Sequence, residues 1–414
     1  MTRRVVVTGA GLVSPLGDSP AALHAALCEG RGGVKPLELF GAGGARCTLA
    51  GEVSGFDAQK YLGRRNLRPL DRTGRLAASA AQLALDDAGW TPELRGSREV
   101  GLVLGTMFGG LHTISEFDRR AVEAGPAYAS PMDFANTVIN AAAGQAAIIH
   151  GLRGVNSTVS AGAASGLQAV AYAADLIRRG RARSLVAGGA EELCFESFYG
   201  FDRARVLCGS GGDGEGEYPV PFDARRNGFA QAEGAALLVL EESESARGRG
   251  ARVLAEVEGY GCAFDASLGE NEESAVGAIA RAIGSALEDA SVRPEEVDCL
   301  SASANGGVSG DRREARAVAS VFGGRARELP VTAVKSALGE ALGASGALQA
   351  VAMLGTMRDG VLPGVRNFER GDDGFPLASV SPAGRRVEVR RAVISSVGFD
   401  GHCCALLLAR PASQ

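Results

Sequence analysis

The chain has 414 residues, a formal net charge of −5, and 22% charged against 46% hydrophobic residues. A chain of this length can bury a large core, either as one domain or as two fused halves. The slightly acidic balance gives no electrostatic basis for binding nucleic acid, and no apolar run approaches the ~20 residues that span a membrane. The eight cysteines lack paired metal-ligand spacing, which predicts reduced thiols and no metal site.

The first predicted strand runs from Arg4 to Thr8, a β-branched run that Gly9-Ala10-Gly11 is expected to end. The residues before it have neither the apolar length nor the cleavage site of a signal peptide, which predicts a cytoplasmic protein. A glycine cluster behind a strand can bind a dinucleotide, but the third glycine and an immediately following helix are missing here. We therefore expect no cofactor. A helix is predicted over about Pro20 to Glu29.

A basic cluster precedes the next helix, which apolar periodicity predicts from Leu76 to Ala88. The cluster consists of Arg64, Arg65, Arg68, Arg72 and Arg75. Its simplest interpretation is a solvated helix face. The alternative is a docking surface that attracts an acidic protein.

Two further elements are predicted before the middle of the chain. Val100 to Thr106 has the pattern of a buried strand, closed by Phe108-Gly109-Gly110. Met132 to Gln145 is rich in small residues and is predicted to form one tightly packed helix.

The most distinctive stretch runs from Val159 to Gln168, where an apolar approach meets Ala161-Gly162-Ala163-Ala164-Ser165-Gly166. Helical periodicity follows, so the pattern predicts a strand-to-helix elbow that holds one side chain at a helix N-terminus. The backbone N–H groups and positive potential of that end would activate a nucleophile. The candidate position carries Ala163, so the elbow is predicted without its nucleophile.

Strands and helices alternate through the rest of the chain, which predicts the α/β class. Strands are predicted at residues 183–191, 236–241, 253–259 and 297–302, and a helix at 274–290. The charged stretch from Glu242 to Ala251 lacks apolar periodicity. We therefore place the junction of two halves there, at residues 1–250 and 251–414.

The elbow resembles the Thr-Ala-Cys-Thr-Ser-Gly motif of the β-ketoacyl synthases of fatty-acid and polyketide assembly, with the cysteine position on Ala163. Two other segments are similar to family motifs, the opening from Val7 to Gly17 and the block that begins Pro221-Phe222-Asp223. The resemblance covers nearly the whole chain. It implies a thiolase-like αβαβα sandwich of two pseudo-equivalent halves.

The same resemblance identifies the catalytic positions, and each is replaced. The family's first histidine motif aligns with Ser301 to Asp311 and puts the histidine on Ser303. The second aligns with Lys335 to Ala344, where Lys335 is retained but the histidine is Glu340. Condensation needs a thiolate and imidazoles, so no catalytic residue is expected. We predict that Lys335 pairs with Glu340 in the vacated site.

These replacements make the chain most similar to the chain-length factor (ketosynthase β) of a type II polyketide system. The resemblance then implies an active ketosynthase as heterodimer partner, a growing acyl chain as ligand, and limitation of polyketide or polyene length. An acyl carrier protein would dock on Arg64, Arg65, Arg68 and Arg72. The tunnel and interface candidates are Met107, Phe108, Gly109, Gly110, Met132, Phe134, Thr137, Val138, Asn140 and Phe399.

Two alternatives stay open. The family's C-terminal motif becomes Val397 to Cys403 here, and Cys403 or Cys404, assisted by His402, could act as a relocated nucleophile of a decarboxylase or acyltransferase. Strand alternation would put His402 on the same face as Cys404. The other alternative is a purely structural partner that stabilises the ketosynthase.

Overall fold

The computed structural model describes residues 3–64, 67–209 and 218–411. Arg65 of the basic cluster, and most of the acidic, glycine-rich segment from Cys208 to Glu217, lie outside these residues.

Strands and helices alternate along the described residues, as the sequence predicts. The strands are β1 (Val5–Val13), β2 (Val34–Pro36), β3 (Leu49–Gly51), β4 (Gly101–Gly105), β5 (Asn156–Val159), β6 (Ser184–Glu191), β7 (Gly234–Glu242), β8 (Ala255–Phe264), β9 (Cys299–Ser301), β10 (Val331–Thr332), β11 (Val361–Leu362), β12 (Arg385–Arg386), β13 (Arg391–Val397) and β14 (His402–Ala409).

The helices are α1 (Pro20–Cys28), α2 (Gln59–Leu62), α3 (Arg72–Asp87), α4 (Pro92–Ser97), α5 (Leu111–Glu123), α6 (Pro131–Phe134), α7 (Ala141–His150), α8 (Ser165–Arg178), α9 (Phe195–Arg203), α10 (Ser243–Gly248), α11 (Glu272–Ala290), α12 (Val308–Phe322), α13 (Lys335–Leu338) and α14 (Ser345–Asp359). Within the described ranges, none of them is long and apolar enough to cross a membrane.

One ten-stranded mixed sheet contains two equivalent sets of five strands. Its order is β10-β9-β13-β14-β8-β1-β7-β6-β4-β5. In the first half, β1, β7 and β6 pair antiparallel while β6, β4 and β5 pair parallel. The strands β8, β14, β13, β9 and β10 repeat that pattern in the second half, and the antiparallel pair β1–β8 joins the halves. The pseudo-equivalent halves are confirmed; their boundary at residue 250 stays a prediction.

The helices complete a five-layer sandwich. The two sets of five strands, called half-sheets below, are two of its layers, and helices lie between them and on their outer faces. The central layer is α8 and α14, whose Val170 and Val351 share one core with Leu238 of β7 and Leu406 of β14. The helices α3 and α7 cover the outer face of the first half-sheet, and α11 and α12 cover that of the second. The predicted αβαβα fold class is confirmed.

The first strand is longer than predicted, because Gly9 and Gly11 do not end it. They lie under α3, where a Cβ atom on Gly11 would come within 2.2 Å of the backbone nitrogen of Ala84. A Cβ atom on Gly9 would lie 2.6 Å from the backbone nitrogen of Ala88. The glycines therefore let a helix approach the sheet closely, and the strand continues to Val13.

The single helix predicted from Met132 to Gln145 is also wrong. The chain forms the short helix α6, which ends at Phe134, and α7, which begins at Ala141. Between them the run Thr137-Val138-Ile139 is β-branched, and such side chains lose rotamer freedom in a helix.

The close approach of α3 gives a stability prediction. Gly11→Ala should lower the free energy of unfolding by about 1–3 kcal/mol, because the added methyl group overpacks against the helix backbone. The measurement is urea denaturation of the purified chain. The matched control is Gly284→Ala in α11, where the new Cβ atom meets nothing within 4 Å. That change should stabilise the chain by up to about 1 kcal/mol, and equal effects of the two changes would contradict the prediction.

Candidate functional site

The predicted elbow is present between β5 and α8. The hydroxyl of Ser165 accepts a hydrogen bond from Ala161 N (2.8 Å) and donates one to Gly162 O (2.6 Å), which fixes the turn. Gly162 has a φ of +53°, in the left-handed region. Ala163 follows it just before the N-terminus of α8 and is fully buried. The family resemblance expects a nucleophile at this position, which carries a methyl group here.

The end of β13 and the loop after it cover this elbow. The hydroxyl of Ser396 donates to Ala163 O (3.3 Å). The carboxylate of Asp400 lies against the backbone of Gly162 and Gly398, since a Cβ atom on either residue would lie within 2.4 Å of it. Asp400 is a site residue that the sequence analysis missed, although it departs from the family motif.

A second elbow stands in the equivalent place of the other half. Ala341 N donates to the hydroxyl of Ser345 (2.9 Å) at the start of α14, which repeats the contact between Ala161 and Ser165. The starts of the two helices touch, since a Cβ atom on Gly166 would lie 2.4 Å from Gly343 O. The two central helices therefore bring the two elbows to one place.

Lys335 and Glu340 form the predicted ion pair in the second elbow. The Nζ–Oε2 distance is 2.7 Å, and the side chains are 2% and 0% exposed. Oε2 of Glu340 also accepts from Asn305 Nδ2 (2.8 Å). Oε1 accepts from the hydroxyl of Ser345 (2.6 Å) and from Leu342 N (3.0 Å). The buried carboxylate is therefore satisfied on both oxygens, and the predicted pair is confirmed.

Ser303 belongs to the same network. Its hydroxyl accepts hydrogen bonds from Lys335 Nζ (3.1 Å) and from Val397 N (3.0 Å). Val397 directly follows Ser396, which contacts Ala163, so the end of β13 connects all three replaced positions. Behind Ser303, burial raises the pKa of the Glu314 carboxyl to about 7.

The chemistry of this arrangement is limited. Alanine supplies no thiolate, and neither Ser303 nor Glu340 supplies the imidazole that would stabilise a developing enolate. The charge of Lys335 is neutralised by Glu340. The three positions therefore contain neither a thiol nor an imidazole, and their contacts hold the two elbows together.

A cavity of about 360 Å³ opens in front of Ser303. Its lining comes from both halves and includes Val206, Phe229, Leu268, Asn305, Val308, Phe399 and Cys403. The tunnel candidate Phe399 is 44% exposed here, and its ring stacks on Phe229 at 5.1 Å between centroids. Phe399 also contacts the ring of Phe201 (5.9 Å between centroids), which in turn contacts the tunnel candidate Phe108 (6.2 Å).

The candidate relocated nucleophiles have an unfavourable environment for thiolate chemistry. Cys403 is 3% exposed, and burial raises its pKa to about 12. A hydrogen bond to Cys262, together with burial, raises the pKa of Cys404 well above its ordinary value. The His402 ring packs on Phe264, and its Nδ1 lies 3.1 Å from Asp400. These contacts argue against the relocated site, because reactive cysteines have a lowered pKa.

The candidates from Met107 to Gly110 follow β4 and are held by a buried carboxylate. Met107 N and Phe108 N donate to Glu191 at 2.6 and 2.8 Å. Gly343 N of the other half donates to the same carboxylate (3.2 Å). Burial raises the pKa of Glu191 to about 7, although these hydrogen bonds oppose the rise.

The candidates from Met132 to Asn140 lie in a segment that is strongly apolar at its surface. Asn140 precedes α7, and the hydroxyl of Thr137 donates to Phe134 O (2.8 Å). The exposed side chains, called the apolar surface below, are Val122, Tyr128, Met132, Phe134, Val138, Ile139 and Ile148. Four of these were not predicted, although the high local density of apolar residues was visible in the sequence.

The basic cluster is only partly available to a partner. Arg72 makes two hydrogen bonds of 2.6 Å to Glu233, which is fully buried. Its predicted role in docking a carrier protein stays a prediction, although the guanidinium, whose side chain is 27% exposed, already compensates a buried charge. Arg64 and Arg68 are exposed.

Two family models cover most of the chain. The β-ketoacyl synthase N-terminal domain matches residues 2–246 and the C-terminal domain matches residues 254–369. The chain belongs to the β-ketoacyl synthase family. The 3-oxoacyl-[acyl-carrier-protein] synthase 2 of Vibrio harveyi is 33% identical over 403 residues, which are 96% of each chain.

Solved ketosynthase structures have the same fold. The ishigamide ketosynthase/chain length factor superposes with a TM-score of 0.92 at 33% identity and covers 100% of both chains. A type II PKS acyl-carrier protein in complex with its ketosynthase bound to the hexaketide gives a TM-score of 0.90 at 28% identity, covering 99% of this chain and 100% of that one. The family resemblance seen in the motifs is confirmed.

The buried pair gives a second stability prediction. Lys335→Met should lower the free energy of unfolding by about 3–5 kcal/mol, because the Glu340 carboxylate loses its compensating charge. Adding Glu340→Gln should recover part of this loss, and urea denaturation of the single and double variants measures it. The control Arg119→Met breaks an exposed pair with Glu116 and should change stability little. A Lys335→Met variant as stable as the parent would contradict the structural role of the pair.

Proposed function

We propose that this chain is a non-catalytic, chain-length-factor-like subunit of a type II polyketide system. It pairs with an active ketosynthase, completes that enzyme's acyl tunnel across the interface, and limits the length of the product. The observation that carries the proposal is the second elbow, where Lys335 and Glu340 neutralise each other in the position from which the family takes a catalytic histidine.

The fold around this site supports a partner role over simple loss of function. Both elbows keep their serine-anchored turns, and the Lys335 network is fully hydrogen-bonded. Removing one member of this buried pair would leave an uncompensated charge, so the network stabilises the fold of the site.

The apolar surface supports a large protein partner. Val122, Ile148 and Tyr128 are 84%, 77% and 72% exposed, and a protein partner that covers such side chains removes their apolar surface from water. The strand β5 lies nearby at one end of the sheet and pairs only with β4 in the described residues. An open strand edge can pair with another chain.

The carrier protein and the acyl chain complete the proposal. A growing chain anchored on the partner would reach the loops at Met107 and Val138, and a carrier protein would meet the exposed Arg64 and Arg68. The ishigamide protein is named as a ketosynthase/chain length factor, which fits this assignment. A cytoplasmic setting remains part of the proposal.

A rival function follows from the sequence relatives, which are named as 3-oxoacyl-[acyl-carrier-protein] synthases. A shared fold does not carry the chemistry when the reacting residues differ. The two earlier alternatives, acyl transfer through Cys403 or Cys404 and a purely structural partner, are separated from the main proposal by the following experiments.

The first experiment tests where the acyl group is held. The chain is incubated with acyl-loaded carrier protein, alone and co-expressed with the ketosynthase it pairs with, and intact masses are recorded. We expect an acyl adduct only on the partner, in a one-to-one complex, because Ala163 offers no thiol. Ala163→Gly, which also offers no nucleophile, serves as the control. An adduct on this chain that Cys403→Ser removes would overturn the proposal in favour of the relocated site.

The second experiment tests control of product length in the assembled complex. Val138→Trp should shorten the main product by about one extension unit, because the indole fills space that the chain would enter. Val138→Ala should leave the length unchanged or increase it. The control Leu39→Trp enlarges an exposed side chain elsewhere. Unchanged product lengths in an intact complex would favour the purely structural partner.

A further inference from the structure

Cys262 and Cys404 face each other across two antiparallel strands. They are directly paired residues of β8 and β14, and their sulfur atoms lie 3.8 Å apart. Directly opposed residues have Cα atoms about 4.5–5.5 Å apart and side chains on the same face. Disulfides form across Cα distances of about 4.4–6.8 Å, so the two thiols can be joined by side-chain rotation alone.

The two thiols differ in their environments. Cys262 is exposed, whereas Cys404 is 1% exposed and packs in the central core. The Cys262 thiol donates a hydrogen bond to the Cys404 sulfur (3.8 Å). An exposed thiol beside a second, buried thiol is the arrangement found in redox-sensitive pairs.

We propose that Cys262 and Cys404 form a reversible disulfide when the chain meets hydrogen peroxide. Cys262 attacks one peroxide oxygen, so that the thiol becomes a sulfenic acid and one molecule of water leaves. The sulfur of Cys404 then attacks the sulfenic sulfur and gives up its proton, and the sulfenic hydroxyl leaves as a second molecule of water. The two thiols are oxidised by two electrons in total, which reduce one peroxide molecule.

Exposure and position distinguish Cys262 and Cys404 from other thiols of the chain. Cys47 and Cys208 contact each other but are 1% and 0% exposed, so a peroxide cannot reach them in the folded chain. Cys403 directly precedes Cys404 in β14, but it pairs with Ala263 and packs in the other core. It therefore cannot replace Cys404 as the second sulfur.

The bond would join strands that already pair, so the fold need not rearrange to accept it. It would also close a covalent loop between residues 142 positions apart in sequence. Closing a loop of this length restricts the unfolded chain strongly. The oxidised protein should therefore melt at a higher temperature than the reduced protein, and a thiol reductant should reverse the change.

The test uses the full chain treated with hydrogen peroxide, followed by alkylation of the remaining thiols, trypsin digestion and mass spectrometry. We expect a link between the peptides that carry Cys262 and Cys404, which a reductant removes. The link should persist in Cys403→Ser, because the neighbouring cysteine takes no part. In Cys404→Ala, Cys262 should instead be trapped as a sulfenic acid by dimedone.

Cys262→Ser is the variant least able to disturb folding, because the residue is exposed. It should abolish the peptide link and the reductant-sensitive rise in melting temperature. The proposal fails if Cys262 is oxidised in the parent chain without a link to Cys404. A link to Cys403, or one between two molecules, would overturn it equally. None of these outcomes depends on the ketosynthase partner or on the proposed function.

Discussion

The buried pair of Lys335 and Glu340 is the interaction on which the site depends. Two charges that leave water cost free energy unless each finds a close partner and further hydrogen bonds. Glu340 receives four hydrogen bonds and Lys335 gives two of its own. Ser303 hydrogen-bonds to Lys335, and Asn305 hydrogen-bonds to Glu340. The two residues therefore solvate the buried charges of this pair.

The internal repeat explains why this replacement leaves the fold intact. Each half contributes an elbow, and each elbow is held by a serine that begins a central helix. The packing of α8 against α14, with Gly166 and Gly343 in contact, therefore holds the two elbows together. The side chains that project from the elbows are not needed for this packing. Ala163 and Glu340 can change identity because the turn around each is specified by Ser165 and Ser345.

Much of the fold and the replaced positions was predictable from the sequence, because motif spacing survives the loss of the reactive residues. The elbow, the ion pair and the alternating elements were all anticipated. The continuation of β1 through Gly9 and Gly11 was not predicted. In a sequence, glycines that allow a helix to pack closely on a strand cannot be distinguished from glycines that form a turn. The role of Arg72 was also missed, because its partner Glu233 lies 161 residues away in sequence and only the fold brings the two together.

The carboxylate of Glu191 has a consequence for how such proteins diverge. It holds the loop after β4 by the backbone of Met107 and Phe108 and ties that loop to Gly343 of the other half. Because these hydrogen bonds use main-chain groups, the loop's course is independent of which side chains it carries. Substitutions can therefore change the size of those side chains while the backbone of the loop keeps its path.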